Sequence, residues 1–207
     1  MKSLARSALI ARAAEIEGWF DEVELGLLVD CVTEVARRNS NPPVKLNIVE
    51  VGSYKGRSTV AMGLTLAAMS RAGIIYSIDP HKGVRSGRHD RIYRGNQTYN
   101  DFLNNTKRFG LEKFVRCVQS KATETRIDVP VSLILIDAMH LFKNVSEDFR
   151  HFEKNILQKG LIAFHDYRED FPGVIDFVDS LMQVHNAPYR KIHQAHSLIV
   201  LEKVLND

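Results

Sequence analysis

A strand pattern that leads directly into a glycine-containing loop constrains this 207-residue chain more than any other feature. Residues 48–51 form an apolar run that is interrupted only by Glu50. Gly52 and Gly56 follow, and a helical pattern then covers residues 58–70. A loop that leaves the carboxyl end of a parallel strand can hold a cofactor, because glycine lets the backbone approach a ligand closely. The pattern therefore predicts an α/β fold with a cofactor site at this loop.

Strand and helix patterns alternate along the chain after two helical segments within about residues 1–38. The second helical segment has an apolar face that begins at Val23. Strands are predicted at 46–51, 73–78, 114–118, 131–136, 161–164, 189–193 and 197–202. Helices are predicted at 58–70, 98–109, 122–127, 141–157 (before a turn at 158–160) and 172–184. This alternation predicts a seven-stranded, mostly parallel sheet with helices on both faces, and the short link 194–196 predicts an antiparallel edge strand.

The composition is that of an ordinary globular protein and predicts one domain over residues 1–207. The apolar fraction is 44% and the net charge is +3, which permits an anionic substrate without requiring one. We predict no nucleic-acid partner, because the chain has no Lys/Arg run or aromatic-basic repeat. We also predict no membrane partner, because no apolar run reaches spanning length. The N-terminal helices could pack in a homodimer.

The two cysteines, Cys31 and Cys117, lie in apolar surroundings. They are interpreted as buried free thiols of a protein in the reducing cytoplasm, and a metal or redox pair is the alternative. A polar loop over residues 81–94 carries several arginines. It could clamp an anionic acceptor or close over the site as a lid, or it could simply be a solvated charged face.

Polar side chains follow most of the predicted parallel strands, at the edge where ligands bind in an open α/β sheet. In chain order they are Glu50, Asp79, Ser120, Asp137, His165 and Asp166. Asp79 could accept two ribose hydroxyls, or it could be a turn acid before Pro80. Ser120 could contact a cofactor or cap the short helix that follows it.

Two of these acids, Asp137 and Asp166, follow strands that should be neighbours. Carboxylates brought together either share a proton or hold a cation. Oxygen ligands favour magnesium, and His165 nearby would also admit manganese or another transition ion. The alternative is that both acids cap helices. His140 stands three residues beyond Asp137, where an imidazole can take up a proton near neutral pH, or can be a loop histidine that bonds the backbone.

These residues together resemble the class I S-adenosylmethionine-dependent methyltransferases. The loop at 50–59 is similar to their first motif, and Asp79 matches the acid that binds the cofactor ribose. From about Gly18 onward, the chain resembles a small bacterial group related to macrocin-type and cephalosporin-pathway O-methyltransferases. The segments that carry this closer resemblance are Asp137-Ala138-Met139-His140-Leu141-Phe142, Asp148, His165-Asp166-Tyr167 and Pro172-Gly173-Val174.

The resemblance implies a Rossmann-like fold and methyl transfer to a hydroxyl of a small molecule, such as a sugar or another natural product. The implied cofactors are S-adenosylmethionine and Mg²⁺. The implied cofactor-binding residues are Glu50, Gly52, Ser53, Tyr54, Gly56, Ser58, Thr59, Asp79, Ser120 and Asp137. The implied metal ligands are Asp137, His165 and Asp166, with Asp137 and His140 as catalytic residues and His140 as the base.

Two other functions remain open from the sequence. Ala138 and Phe142 depart from the glycine and tyrosine of the related group, which leaves room for a module that binds S-adenosylmethionine without transferring its methyl group. A nicotinamide-dependent oxidoreductase is less favoured, because the loop lacks G-x-G-x-x-G spacing and Glu50 would repel a pyrophosphate.

Overall fold

The structure is a computed structural model that describes residues 5–38, 45–82, 97–183 and 187–204. The helices are α1 (Arg6–Ala14), α2 (Glu22–Arg38), α3 (Arg57–Ala68), α4 (Gln97–Arg108), α5 (Phe142–Phe152) and α6 (Pro172–Gln183). The strands are β1 (Leu46–Val51), β2 (Gly73–Ile78), β3 (Val115–Val118), β4 (Val131–Ile136), β5 (Ile156–Phe164), β6 (Tyr189–Ala195) and β7 (Leu198–Lys203). Single 3₁₀ turns cover Ala122–Glu124 and Glu153–Asn155.

The seven strands form one sheet in the order β3-β2-β1-β4-β5-β7-β6. Strands β1 to β5 pair in parallel, whereas β7 is antiparallel to both of its neighbours, β5 and β6. This confirms the predicted mostly parallel sheet with an antiparallel pair at one edge. The chain runs outward from β1 in both directions, which makes the carboxyl ends of β1 and β4 a switch point where ligands bind in such folds.

Helices cover both faces of the sheet and create two apolar clusters. One cluster joins the sheet to α1, α2 and α3, and the other joins it to α5 and α6. Ile48 and Val49 are adjacent in β1 but belong to different clusters, because successive side chains of a strand point to opposite faces. All six residues of β4 are buried, as expected for a central strand with both faces covered.

The sequence misplaced the boundary between α5 and β5. The predicted helix over 141–157 ends at Phe152, and β5 begins at Ile156. The predicted turn at 158–160 lies inside β5, where Lys159 has a φ of 59° beside a register shift. Apolar residues continue at helical spacing past the end of α5, and spacing alone cannot separate a short strand from a helix end.

Two smaller boundaries also differ from the prediction. The helix predicted over 122–127 is only the 3₁₀ turn Ala122–Glu124. The link between the last two strands is His196-Ser197, because β6 extends to Ala195. Both segments are short, and element ends are set by local hydrogen bonds that the sequence pattern does not specify.

Three further features of the sequence concern the cysteines, the hydropathy of the helices and the basic loop. Both cysteines are free; Cys31 is buried and Cys117 is half-buried. Within the described ranges, no helix combines the length and the hydropathy needed to cross a membrane. Most of the predicted basic loop, from residue 83 onward, lies outside the described residues.

Arg57, the first residue of α3, ties the N-terminal segment to the glycine loop. Its guanidinium donates to backbone carbonyls at 2.6–2.8 Å, and the acceptors belong to Ala14, Ile16, Gly18 and Phe20. Segment 14–20 has little regular structure of its own, so its carbonyl groups need partners from elsewhere in the protein. Arg57 therefore holds this segment against the start of α3.

We expect Arg57→Lys to lower the free energy of unfolding by about 2–3 kcal/mol, because one ammonium group cannot reach four separate carbonyls. Amide hydrogen exchange in segment 14–20 should accelerate in the same variant. Urea unfolding and exchange mass spectrometry measure the two effects. Arg108→Lys is the matched control, since Arg108 pairs with Glu15 on the exposed surface and should change stability by less than about 1 kcal/mol. Equal losses in both variants would contradict the anchoring role.

Candidate active site

The glycine loop crosses directly over the carboxyl end of β4. Gly52 has a φ of 88°, and a Cβ atom added there would lie 1.9 Å from the backbone oxygen of Asp137. Gly56 has a φ of 89° and opens α3. The loop can approach β4 this closely only because residue 52 has no side chain. The two parts of the site predicted from sequence, the loop and the β4 end, are thus in contact.

Asp79 follows β2 and holds the glycine loop by its backbone. One carboxylate oxygen accepts N–H hydrogen bonds from Ser53 and Tyr54 at 3.1 and 2.8 Å. The other accepts the N–H of His81 at 2.7 Å, which is the turn contact that the sequence left open for an acid before Pro80. The side chain remains 19% exposed. Asp79 therefore shapes the loop, and its predicted contact with a ribose stays a prediction.

Glu50 lies beneath the loop and is fully buried. Its carboxylate accepts hydrogen bonds from the hydroxyls of Ser58, at 2.5 Å, and Thr59. Burial raises the pKa of Glu50 from its ordinary value of 4.5 to about 7, although both hydroxyls oppose the shift. These contacts favour support of the loop as the role of all three side chains. Their predicted direct contact with the cofactor is untested.

We expect Glu50→Gln to become more stable relative to the wild type as the pH rises. The folded pKa of Glu50 exceeds its unfolded value, so the wild type loses stability as the pH rises from 4.5 through 7. Glutamine mimics the protonated acid and does not titrate. The stability difference between the two proteins should therefore grow by about 3 kcal/mol across this window.

Urea unfolding at pH 4.5 and pH 8 measures this change. Glu202→Gln is the control, because its buried carboxylate is held in the charged form by Arg38 and Arg190. Burial opposes that charge, but the two arginines outweigh burial and lower the pKa of Glu202. Its stabilising effect is lost only as the pH falls below about 4.5, so the difference between this variant and the wild type should change little between pH 4.5 and pH 8. A Glu50→Gln difference that is constant with pH would refute the raised pKa.

Three side chains meet where β4 and β5 end. Asp137 follows β4, and His165 and Asp166 follow β5, its parallel neighbour. Nδ1 of His165 lies 3.0 Å from a carboxylate oxygen of Asp137 and 3.4 Å from one of Asp166. One potential ligand atom from each residue lies within 4.8 Å of the others. The adjacency that the sequence predicted for these strand ends is therefore present.

The charged groups of this cluster strongly shift one another's pKa values. Burial disfavours the charged imidazole of His165, but carboxylates of Asp137, Asp166 and Glu24 together outweigh burial and raise the pKa of His165 to about 12. Burial likewise favours a neutral Asp166, but hydrogen bonds from His140 and His165 outweigh it and hold the pKa of Asp166 well below its usual range. The carboxylates of this cluster therefore favour a positive charge close to them.

His140 lies beside this cluster. Its Nε2 atom is 2.8 Å from the same Asp166 oxygen that faces His165, and the Phe171 ring packs against its imidazole with the centroids 4.1 Å apart. The imidazole remains 26% exposed. The ring is thus held by a carboxylate, which distinguishes it from a loop histidine that only bonds the backbone. The predicted role of His140 as a base stays a prediction.

The sequence missed Glu24 of α2 as part of this site. Glu24 is buried, and its carboxylate lies 3.3 Å from Nε2 of His165, which is 141 residues away. The neighbouring Val23, assigned to the apolar face of the helix, is instead 54% exposed. Phe20 stacks on the His165 ring at 4.1 Å. The available signal was an acid interrupting an apolar helix face, but nothing in the sequence identified its partner.

The remaining predicted residues occupy the same edge of the sheet. Ser120 is half-buried after β3 and precedes Lys121, which is the N-cap residue of the following 3₁₀ turn and makes no side-chain capping hydrogen bond. The cofactor contact predicted for Ser120 stays a prediction. Tyr54 packs against Trp19 and donates its hydroxyl to Glu17 at 3.0 Å. The Ser53 hydroxyl oxygen is buried, with no hydrogen-bond partner among the described residues.

Comparison with solved structures identifies methyltransferases of the same fold. The O-methyltransferase NovP matches 89% of this chain and 81% of its own, with a TM-score of 0.71 and 17% identity. CalS11, a calicheamicin methyltransferase, matches 94% of this chain and 91% of its own, with a TM-score of 0.64 and 12% identity. Podospora anserina PaMTH1, solved with SAH bound, matches 96% and 87%, with a TM-score of 0.64 and 10% identity.

Sequence comparison gives the family. A search among curated proteins found no match. A family model described as a methyltransferase domain, however, matches residues 49–167, which is more than half of the chain. The match includes the glycine loop, Asp79, Asp137 and the His165-Asp166 pair, and it favours methyl transfer over the nicotinamide-dependent alternative. The chain therefore belongs to the methyltransferase domain family and is a methyltransferase of the class I, S-adenosylmethionine-dependent type.

Proposed function

We propose that the protein transfers the methyl group of S-adenosylmethionine to a hydroxyl of a small molecule, with the help of a divalent cation. The observation that carries this proposal is the contact between the glycine loop and the polar cluster. Gly52 lies against Asp137, and Asp137 lies against His165 and Asp166. A cofactor on the loop would therefore have its reacting end beside carboxylates and imidazoles suited to activate a hydroxyl.

The loop has the properties expected of a binding site for S-adenosylmethionine. We infer that the backbone at Gly52 and Ser53 holds the methionine end, as the resemblance implies. The Ser53 hydroxyl, which has no partner in the part of the chain that the structure describes, supports this inference, because a buried polar atom normally requires a partner. Asp79 would accept the ribose hydroxyls with the part of its carboxylate that remains exposed, and Ser120 would lie on the adenine side. Glu50 contributes indirectly, through the hydroxyls of α3.

The cluster at the β4 and β5 ends fits a divalent cation. Cis ligands of an octahedral ion with bonds of about 2.1 Å stand about 3 Å apart, and Nδ1 of His165 lies 3.0 and 3.4 Å from the carboxylates of Asp137 and Asp166. Two carboxylates and one imidazole suit Mg²⁺ or Mn²⁺. When bound, the ion supplies positive charge that lowers the pKa of an acceptor hydroxyl. Asp137 and Asp166 would orient the acceptor beside the cofactor.

His140 is the proposed base. With a proton on Nε2 donated to Asp166, the other ring nitrogen keeps a lone pair that can accept the hydroxyl proton. Asp166 would hold the imidazole in this tautomer and stabilise its charged form afterwards. The methyl group of a sulfonium needs no further activation. Correct placement of the oxygen and removal of its proton are therefore the steps left to these side chains.

The first test is calorimetric titration of the purified protein with S-adenosylmethionine, with and without Mg²⁺, and with NAD as the control ligand. We expect micromolar binding of S-adenosylmethionine and none of NAD. Asp79→Ala should weaken this binding at least about tenfold, because it removes both the ribose acceptor and the loop contacts. Asp137→Ala should change it by less than about threefold. Equal loss in both variants would contradict the division of roles.

The second test is methyl transfer to a panel of small molecules that includes sugars, phenols and anionic hydroxyl compounds. Transfer to a hydroxyl oxygen, followed by mass spectrometry, would support the proposal. Binding of S-adenosylmethionine without transfer to any member of a broad panel would favour the module that only binds the cofactor. Transfer to nitrogen or carbon alone would refute O-methylation. A homodimer and a cytoplasmic location remain predictions, which sedimentation and cell fractionation can test.

A further inference from the structure

We propose that Glu24 of α2 is a positioning residue for His165, so that the N-terminal helical region completes the cation site. The inference rests on the cation role proposed above for Asp137, His165 and Asp166. It adds a residue from outside the matched family region, because Glu24 precedes residue 49, where that match begins. Its role would be to fix which nitrogen of the imidazole faces the two aspartates.

The two ring nitrogens of His165 face different carboxylates. Nε2 lies 3.3 Å from Glu24, and Nδ1 lies 3.0 Å from Asp137. A neutral imidazole carries one proton, and a hydrogen bond at one nitrogen determines the tautomer. A proton donated from Nε2 to Glu24 leaves the lone pair of Nδ1 directed at the aspartates. Histidines that bind metals commonly donate their other N–H to a carboxylate or a carbonyl in this way.

Glu24 is itself held firmly. One of its oxygens accepts the hydroxyl of Ser197 at 2.6 Å and the backbone N–H of the same residue at 3.0 Å. The other oxygen accepts the backbone N–H of Asp21 at 3.0 Å. Every donor in this set is fixed by helix α2 or by the short β6–β7 link. The carboxylate is therefore oriented before any ligand binds, which is the condition for effective positioning.

The imidazole plane is fixed from the same segment. Phe20 stacks on His165 with an interplanar angle of 20°. The Phe20 carbonyl accepts a hydrogen bond from Arg57 at 2.6 Å, and Arg57 is the first residue after the glycine loop. A short path of direct contacts thus runs from the cofactor loop through the N-terminal segment to His165. The N-terminal region contributes to both halves of the site.

A purely structural role for Glu24 must be separated from positioning. Asp21 and Glu24 form a reciprocal capping box at the start of α2, because each side chain accepts the backbone N–H of the other residue. Loss of Glu24 therefore lowers stability under either interpretation. Affinity for a metal ion and the state of the His165 ring respond only to positioning, provided that the variant remains folded.

The experiment measures Mn²⁺ binding by electron paramagnetic resonance, using the full chain without S-adenosylmethionine. We expect Glu24→Ala to bind Mn²⁺ about 10- to 100-fold more weakly than the wild type, and Glu24→Gln to show a smaller loss because its amide oxygen still accepts a hydrogen bond. Glu202→Gln removes a similarly buried carboxylate that pairs with Arg38 and Arg190 and not with the cluster, and it should bind like the wild type. If Glu24→Ala does not fold, the Mn²⁺ affinity of Glu24→Gln tests the proposal instead, and an affinity equal to that of the wild type would contradict it.

The outcomes separate this inference from the proposed function. If the wild type binds Mn²⁺ and the folded Glu24 variants bind it with the same affinity, the positioning role is overturned, but the cation site is not. If the wild type binds no Mn²⁺, the cation site itself fails. In that case, imidazole ¹⁵N spectra test whether Nε2 of His165 donates its proton to Glu24. The His165 signals are assigned by their loss in His165→Gln. A protected Nε2 proton that disappears in Glu24→Ala supports positioning, and an unchanged signal overturns it.

Discussion

Asp166→Asn is expected to reduce methyl transfer by about 10³-fold while changing the affinity for S-adenosylmethionine by less than about threefold. The carboxylate of Asp166 contacts His140 at 2.8 Å and His165 at 3.4 Å, so its loss affects both the proposed base and the cation cluster. Asparagine keeps the size of the side chain but not its charge. It also tolerates the φ of 60° at this position.

Single-turnover transfer and calorimetric binding measure the two halves of this prediction. Asp170→Asn is the matched control, because Asp170 lies four residues away and pairs with Arg168 on the exposed surface. That variant should keep both activity and binding. Asp166→Asn with more than a tenth of the wild-type rate would show that neither the base nor the cation depends on this carboxylate.

Gly52→Ala is expected to lower the free energy of unfolding by at least about 3 kcal/mol and to abolish measurable binding of S-adenosylmethionine. Two costs combine at this position. The added Cβ would lie 1.9 Å from the Asp137 oxygen, and the φ of 88° is one that alanine rarely adopts. The obstacle is backbone, so the glycine loop and the end of β4 must move apart.

Gly110→Ala separates these costs. Gly110 has a φ of 68°, but an added Cβ would find nothing within 4 Å among the described residues. This variant should lose only about 1–2 kcal/mol and should bind the cofactor normally. Urea unfolding and calorimetry make both comparisons. Similar stability losses at the two positions would mean that conformation alone, and not the contact with Asp137, determines the requirement for glycine.

Much of the fold was predictable because strand and helix periodicities differ. The alternation of patterns gave the parallel sheet, and the short link near residue 195 gave the antiparallel pair. The errors fell where periodicity is ambiguous. Helix α5 ends at Phe152 although apolar residues continue at helical spacing, and β5 runs through the polar residues 158–160. Those residues form an irregularity within the strand, because only Ile156 and residues 161–164 pair with β4 and Lys159 has a φ of 59°.

Parts of the site were predictable for a topological reason. Asp79, Asp137 and the His165-Asp166 pair each follow a strand, and parallel strands end at the same edge of a sheet. The proposal that His140 is a base came from its spacing relative to Asp137, and only the structure showed that it lies 2.8 Å from Asp166. For Glu50, the sequence identified the right loop, but only the structure located the carboxylate beneath it.

The sequence by itself determined the class of fold, the glycine loop and the strand ends at which the polar residues collect, because these depend on local periodicity and chain order. Only the tertiary structure decided what each buried polar group contacts. Glu24 is buried and Val23 is exposed because His165, Ser197 and Asp21 supply the donors that a buried carboxylate requires. Asp21 is a local partner, but His165 and Ser197 lie 141 and 173 residues away from Glu24, and local sequence carries no record of contacts made across such a distance.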